Sequence, residues 1–390
     1  VSSHKQISVL KPSIGQEEID AANEVLRSGW LGLGPKTEQF EQKFASFANN
    51  RFAIALNSGT AALHLALEVL KIGPGDEVIV PSMTFISTVH AVSYVGATPV
   101  FADIEADTMN ISVQDIERKI TSRTKAIIVV HLAGHPCNMD PIHELAKSKG
   151  IKVVEDAAHA CGAEHNGRRI GSISDLTCFS FHAVKNLTTG EGGAITCNDK
   201  WMDTYIREKR WVGISRDTWM RTTDAAYAWQ YYVNDVGYKY HMNDMQAAIG
   251  LVQLNKLSEL NGRRRAIAES YTQQLSDLDW IELPREKSYA RSSWHLYQIK
   301  FKDERIRDRM IAYLQDVNIA TGVHYYPCHL QPCYSHLQAD VPVTSEIWKS
   351  ILTLPIHPNI TNHDLDRIVD RIRSFHTQQL SVTNRTMIAK

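Results

Sequence analysis

The chain has 390 residues, 43% of them hydrophobic, which is enough for one large core and a second, smaller one. Lys+Arg 42 stand against Asp+Glu 43, and the one dense basic run, Arg263-Arg264-Arg265, reads as a solvated helix face, so composition gives no support for a nucleic-acid partner. No apolar run approaches a membrane span, Val1-Ser-Ser-His-Lys-Gln6 has no signal-peptide core, and the six cysteines (137, 161, 178, 197, 328, 333) lack CxxC spacing. The expectation is a cytoplasmic protein with no membrane segment and with reduced, packed thiols.

In chain order, a helix is predicted over Gly15–Ser28, with Ile19, Ala22, Val25 and Leu26 as its apolar face. Gly29-Trp30-Leu31-Gly32-Leu33-Gly34-Pro35 cannot be a regular element, and Trp30 there is either a packing residue or a lid. A second helix follows, with Phe40, Phe44 and Phe47 on one face. Short β-branched runs then recur at Phe52–Leu56, Glu77–Val80, Pro99–Ala102, Ala126–Val130, Ile151–Val154, Thr177–Ser180 and Ala194–Cys197. Amphipathic stretches at Ala61–Leu70, Ser112–Ile120 and Pro141–Lys149 lie between them. This alternation predicts an α/β fold with a mostly parallel seven-stranded sheet, which binds ligands at the carboxyl ends of its strands.

Beyond residue 199 the chain turns helical, with a Trp- and Tyr-rich insertion over 215–236 and a long helix over Asn243–Leu260. A smaller α+β unit follows, with a strand at Trp294–Phe301 and a helix at Asp303–Val317. The expected division is a large domain over 10–255, a small C-terminal domain over 256–376, and a polar, frayed tail over 377–390.

Polar residues gather where the strands end. They include Asn57-Ser58-Gly59-Thr60, Pro81-Ser-Met-Thr-Phe85, Asp103, His131, His135, Glu155-Asp156-Ala-Ala-His159, and Ser180-Phe-His-Ala-Val-Lys185. Such groups at a buried edge need a ligand or water to satisfy them. Lys185, flanked by Ala183, Val184 and Leu187, is placed where an amine loses its proton readily and becomes a nucleophile.

Each requirement of pyridoxal phosphate (PLP) then has a candidate. Ser58, Gly59 and Thr60 at a helix start, with Ser180, suit its phosphate. Phe85 can lie against its ring, and Asp156 can keep the ring nitrogen protonated, because strand alternation sends the competing Glu155 to the opposite face. His159 can reach the phenolic oxygen, Lys185 the aldehyde, and the Gly190–Gly193 turn can leave the cofactor room to swing. Taken alone, each has a plainer reading as cap, core aromatic or surface lysine; the order phosphate loop, aromatic, aspartate, lysine makes the case.

These motifs, with Ser28-Gly-Trp-Leu-Gly-Leu-Gly-Pro-Lys36, Gly75-Asp-Glu-Val-Ile-Val80, Gly190-Glu-Gly-Gly193 and Met242-Asn-Asp-Met-Gln-Ala-Ala-Ile-Gly250, resemble the DegT-type sugar aminotransferases of the fold type I PLP enzymes, from about Leu10 to Phe375. Pro-Ser-Met-Thr84, Phe-His-Ala-Val-Lys185 and Trp294-His-Leu-Tyr297 look most like the branch that aminates UDP-4-amino-4-deoxy-L-arabinose precursors, although Phe85 stands where that branch carries Trp. The resemblance implies PLP, L-glutamate as amino donor, a nucleotide-linked keto-sugar as acceptor, and a homodimer with a shared active site. It also implies Lys185 as the catalytic residue, His324 and Tyr325 as sugar contacts, and Trp30 as a lid. Lys239 replaces the asparagine of many relatives and is placed to reach the partner's phosphate. Relatives with histidine for the lysine are dehydratases, so Lys185 favours transamination; a PLP-dependent sugar dehydratase and a PLP-binding sensor remain as alternatives. A metal site from His131, His135 and His159 is disfavoured because a Gly-Pro loop separates the first two. Gly-x-Ser-x-Gly is absent, and no Gly-x-Gly-x-x-Gly follows the first strand.

Overall fold

The computed structural model describes residues 6–215, 219, 221 and 231–388, with side chains as far as Phe375. Two helices open it, α1 (Gln16–Ser28) and α2 (Pro35–Phe47). Pro35 starts α2, where its missing N–H has no intrahelical use. Phe40 and Phe44 are fully buried, and Phe44 meets Phe179 and Phe181 edge-on at ring distances of 5.1 and 5.2 Å. The α1 face differs from the expected one. Val25 is buried together with Glu18, while Ile19 and Leu26 are 49% and 55% exposed. Glu18 sets this orientation, because its carboxylate accepts from Gly15 N–H (2.8 Å), Gln253 Nε2 (2.8 Å) and Lys256 Nζ (3.0 Å).

The large unit continues with β1 (Phe52–Leu56), α3 (Gly59–Val69), β2 (Glu77–Pro81), α4 (Ser87–Tyr94), β3 (Thr98–Ala102), α5 (Val113–Lys119) and β4 (Thr124–Val130). Then come α6 (Met139–Lys149), β5 (Lys152–Asp156), the short β6 (Glu164–His165) and β7 (Arg168–Arg169), β8 (Leu176–Ser180), β9 (Gly193–Cys197) and α7 (Lys200–Arg210). All seven expected strands enter one sheet, in the order β1-β9-β8-β5-β4-β2-β3. Only β9 runs antiparallel to its neighbours. Alternation decides the layers: Val78, Val80, Ala126 and Ile128 join the core on one face, and Ile79, Ile127 and Val129 the core on the other.

The long helix α8 (Asp244–Leu275) begins at a capping box in which Asn243 and Gln246 exchange bonds. The smaller unit adds β10 (Ile281–Glu282), β11 (Ala290–Arg291), β12 (Tyr297–Phe301), α9 (Glu304–Asp316), α10 (Pro342–Ser350), β13 (Ile351–Leu354) and α11 (Asn362–Ile388). Its sheet, β10-β12-β13, is antiparallel and packs on the second half of α8 through Ile267, Tyr271 and Leu275. The boundary at 255/256 therefore falls inside one helix shared by both units. The N-terminal segment also crosses over: Ile7 N–H donates to Asn318 O, and Ile356 N–H to Val9 O, both at 2.9 Å. The α11 backbone continues to Ile388, through most of the segment expected as a frayed tail.

Two further features differ from the sequence reading or add to it. Arg263-Arg264-Arg265 is not a solvated face: Arg264 is 2% exposed and donates to Ile356 O (2.9 Å), because α8 is buried between the units at this point. Asp103, at the end of β3, accepts from Val343 N–H, Thr344 N–H and Thr344 Oγ1 at 2.7–2.8 Å, capping α10 and fastening the two units. Five cysteines are buried and Cys333 is exposed, all as free thiols. Most of the insertion over 215–236 lies outside the described residues; its last part, with Tyr232, Val233 and Val236, is exposed. Among the described residues, no helix is long and apolar enough to cross a membrane.

Phe44→Ala is expected to cost about 3–5 kcal/mol, the range for truncating a fully buried Phe. Urea unfolding followed by circular dichroism checks this, and a loss below about 1 kcal/mol would contradict the packing described.

Candidate active site

A cleft of ≈ 330 Å³ opens at the carboxyl edge of the seven-stranded sheet, where the small unit overhangs it. Lys185 lies in the loop from β8 to β9. Its backbone N–H donates to His182 O (2.9 Å), and the following residues are pinned. Leu187 is fully buried, and Asn186 Nδ2 donates to Asn261 Oδ1 and Ser293 O, each at 2.8 Å. Burial lowers the Lys185 pKa to about 8, partly offset by the Asp156 carboxylate. At pH 7 about a tenth of it is then free amine, roughly 300-fold more than for a lysine at its ordinary value.

Asp156 ends β5 and faces into the cleft. Thr88 Oγ1 donates to its Oδ2 (2.8 Å) and Ala158 N–H to its Oδ1 (3.1 Å). Desolvation nevertheless raises its pKa above the ordinary value, against these bonds and the attraction of Lys185. Glu155 points to the opposite face, as alternation requires. There it receives His131 Nε2 (2.8 Å), Ser174 N–H (2.9 Å) and Thr177 Oγ1 (3.2 Å). The Cys137 N–H donates to His131 Nδ1 (3.0 Å), so the ring proton is on Nε2 and the pair is a neutral imidazole with a carboxylate.

The opposite end of the cleft is the start of α3. Ser58 is its N-cap and accepts from Ala61 N–H (3.1 Å), which leaves the Gly59 and Thr60 amides without intrahelical partners. Both residues line the cleft with Ser180. Two glycines permit this assembly. A Cβ on Gly59 would lie 2.9 Å from the Ser180 Cβ, and one on Gly193 would lie 2.4 Å from Ser58 O. Gly193 therefore gives room to the phosphate-loop backbone, not to a swinging ligand.

Phe85 stands at the cleft wall, 56% exposed, with Tyr325 at a ring distance of 6.0 Å. His159 Nε2 is bonded to Tyr325 Oη (3.0 Å), while its buried Nδ1 has no partner. His324 also lines the cleft, with Nδ1 on Thr353 Oγ1 (2.8 Å); burial, followed by the charge of Lys185, lowers its pKa to about 4. The same two influences, with His324, hold His159 neutral.

The cleft thus brings together Ser58, Gly59, Thr60, Phe85, Asp156, His159, Ser180, Lys185, His324 and Tyr325. It does not include Trp30 or Lys239. The Trp30 indole donates to Leu33 O (3.1 Å) and meets Trp219 edge-on at 5.2 Å. Lys239 places its Nζ 3.5 Å above the Trp211 ring, although its carbonyl and that of Tyr240 receive hydrogen bonds from Asn57, just ahead of the phosphate loop. Asp103, His131 and Glu155, three other ionisable groups at the sheet edge, are committed to structural bonds instead. His295, Thr88 and Glu191 are cleft or cleft-supporting residues that the sequence reading left aside. His295 belongs to the Trp294-His-Leu-Tyr297 motif, but its place in the cleft beside the large unit's residues depends on how the two units pack.

The residues fit PLP on the structure's own terms. One end of the cleft offers unpaired amides and hydroxyls to an anion, and the wall carries an exposed aromatic ring. The floor has a desolvated carboxylate whose raised proton affinity a protonated ring nitrogen would relieve. A buried histidine nitrogen lacks a partner, and a lysine of lowered pKa stands nearby. This is the fold and site of a PLP-dependent aminotransferase. The sequence model of the DegT/DnrJ/EryC1/StrS aminotransferase family matches residues 12–373, and the chain belongs to that family. It is 42% identical over 372 residues to the spore coat polysaccharide biosynthesis protein SpsC of Bacillus subtilis, covering 93% of this chain and 95% of SpsC. The PMP form of Spr1654 from Streptococcus pneumoniae superposes with a TM-score of 0.91 at 34% identity, covering 97% and 100% of the two chains. The sugar aminotransferase CalS13 of Micromonospora echinospora gives 0.87 at 28% identity, covering 94% and 99%. The protein is a PLP-dependent sugar aminotransferase.

Three outcomes follow. Lys185→Ala abolishes the long-wavelength absorbance of lysine-bound cofactor; a wild-type spectrum in that variant would remove Lys185 from its role. Asp156→Asn lowers turnover by roughly 10²–10⁴-fold in steady-state assays, the effect of breaking an ion pair at a cost of about 3–5 kcal/mol. The rate at which cofactor-free protein captures PLP rises with pH and levels off above about 8, as the Lys185 ammonium loses its proton. A stopped-flow profile still climbing toward 10.5 would contradict the lowered pKa.

Proposed function

We propose that the enzyme moves an amino group from L-glutamate to a nucleotide-linked keto-sugar, with the keto group at the 4-position. The carrying observation is the lining of the cleft beyond the cofactor positions. Among the described residues lining it, Lys185 is the only lysine or arginine; the exposed His182 and Glu191 stand at the mouth, and His324 and Tyr325 line the wall further in. Imidazoles and a phenol suit the hydroxyls of a sugar better than a second carboxylate. The 4-keto position and the nucleotide rest on the motif resemblance to the arabinose branch.

PLP, when bound, supplies an aldehyde for amino exchange and a protonated ring that takes up electrons from a deprotonated carbon. Lys185 would hold the aldehyde and, once free of it, would carry a proton to and from the reacting carbon as base and acid. Its lowered pKa suits both directions near neutral pH. Asp156 would keep the ring nitrogen protonated, and Thr88 and the Ala158 amide hold that carboxylate in place. The Gly59 and Thr60 amides, with Ser58 and Ser180, would anchor the phosphate.

The active assembly in this reading is a homodimer. Ile14, Ile19, Leu26 and Leu31 leave apolar surface exposed around α1, as do Tyr232, Val233 and Val236 ahead of Lys239. Lys239, outside its own cleft, is the partner-subunit candidate for the phosphate, and Trp30 the candidate lid.

With ¹⁵N-glutamate and a panel of UDP- and dTDP-linked 4-keto sugars, labelled nitrogen is expected in an amino sugar. Deoxygenation without nitrogen transfer would instead establish a dehydratase, and no reaction with any sugar would leave a binding role. Sedimentation is expected to show a dimer; an active monomer would end the shared-site reading.

A further inference from the structure

His295 is 2% exposed, lines the cleft and is used by none of the steps above. Its tautomer can be read from a chain of amides. Asn261 Nδ2 donates to Cys161 O (3.0 Å), so Asn261 presents its Oδ1 to Asn186. Asn186 Nδ2 donates to that oxygen and to Ser293 O, so Asn186 presents its own Oδ1 to His295 Nδ1 at 2.9 Å. An amide oxygen only accepts, and His295 must therefore carry its proton on Nδ1. Nε2 is left with a lone pair.

The surroundings keep it that way. Burial disfavours the imidazolium, and the charged or titratable groups acting on the ring, His159, Lys185, Arg264 and His324, are all of the cationic type. The ring lies over His159 at 4.3 Å with a tilt of 33°, so its in-plane edge is not spent on that neighbour. With Nδ1 committed to Asn186, which directly follows Lys185 in sequence, the Nε2 edge is what the ring can offer to the cleft.

We propose that His295 binds the amino group in transit, its Nε2 accepting a hydrogen bond from the nitrogen whichever molecule carries it. A neutral acceptor held in one tautomer distinguishes an amino group, which can donate, from an aldehyde or keto oxygen, which cannot. The inference rests on the aminotransferase reading but not on the donor or the sugar. Failure of either of those appears in the nitrogen-transfer assay and leaves this test untouched.

The test is binding, measured by calorimetry with pyridoxamine 5′-phosphate and with PLP on the full chain carrying Lys185→Ala. His295→Asn keeps a group that can bond Asn186 but has nothing at the Nε2 position; His295→Gln places an amide oxygen there. In His295→Asn, affinity for pyridoxamine phosphate is expected to fall about tenfold, as for loss of a hydrogen bond to a charged donor, with PLP affinity changed less than about twofold. His295→Gln is expected to bind pyridoxamine phosphate close to the level of its parent. PLP binding reports that each variant is folded. Equal weakening of both ligands, unchanged pyridoxamine phosphate binding in His295→Asn, or equal losses in the two variants would each overturn the proposal.

Discussion

Desolvation of two opposite charges at the same sheet edge is the constraint on which the rest of the structure depends. Lys185 and Asp156 share one cleft; burial takes the proton affinity of the amine down and that of the carboxylate up, while their mutual attraction restrains both shifts. Without a ligand this is a costly arrangement, since neither group has a full set of partners. PLP suits both at once, giving the amine an aldehyde and the carboxylate a protonated ring nitrogen. The same frustration that costs stability in the free protein would then favour binding and reactivity in the loaded one.

Everything around the pair serves to hold it. The parallel strands bring β5 and β8 side by side, so Asp156 and the approach to Lys185 share an edge. Asn186, the residue after Lys185, is tied to α8 and to the Ser293 carbonyl, which belongs to the smaller unit. Asp103 fastens the other side through α10. These bonds cross between the units at buried points. The cleft's inner wall, formed by His159, His295, His324 and Tyr325, is therefore set by interdomain packing and not by a single loop.

Much of this was legible in the sequence, and for definite reasons. All seven strands were readable because each is a short apolar run bounded by turn residues. Asp156 could be preferred to Glu155 because strand period is a strict geometric rule. Ser58-Gly59-Thr60 was readable because a helix start is local. What failed was long-range. The face of α1 was misjudged because Glu18 finds Gln253 and Lys256 more than 230 residues away. Arg264 looked solvated because nothing local shows that α8 is buried between two units. Gly193 was read as room for a ligand because only the folded chain shows Ser58 beside it. His295 was overlooked for the same reason: its partner Asn186 is 109 residues distant, and the tautomer depends on an amide chain that no motif encodes.

The central claim, that Lys185 is the amine that carries the cofactor, is most directly tested by borohydride fixation. The protein is loaded with PLP, reduced, digested and mapped by mass spectrometry. The account predicts the phosphopyridoxyl group on the single peptide that contains Lys185. Modification of another lysine, Lys239 included, with Lys185 left free would contradict it.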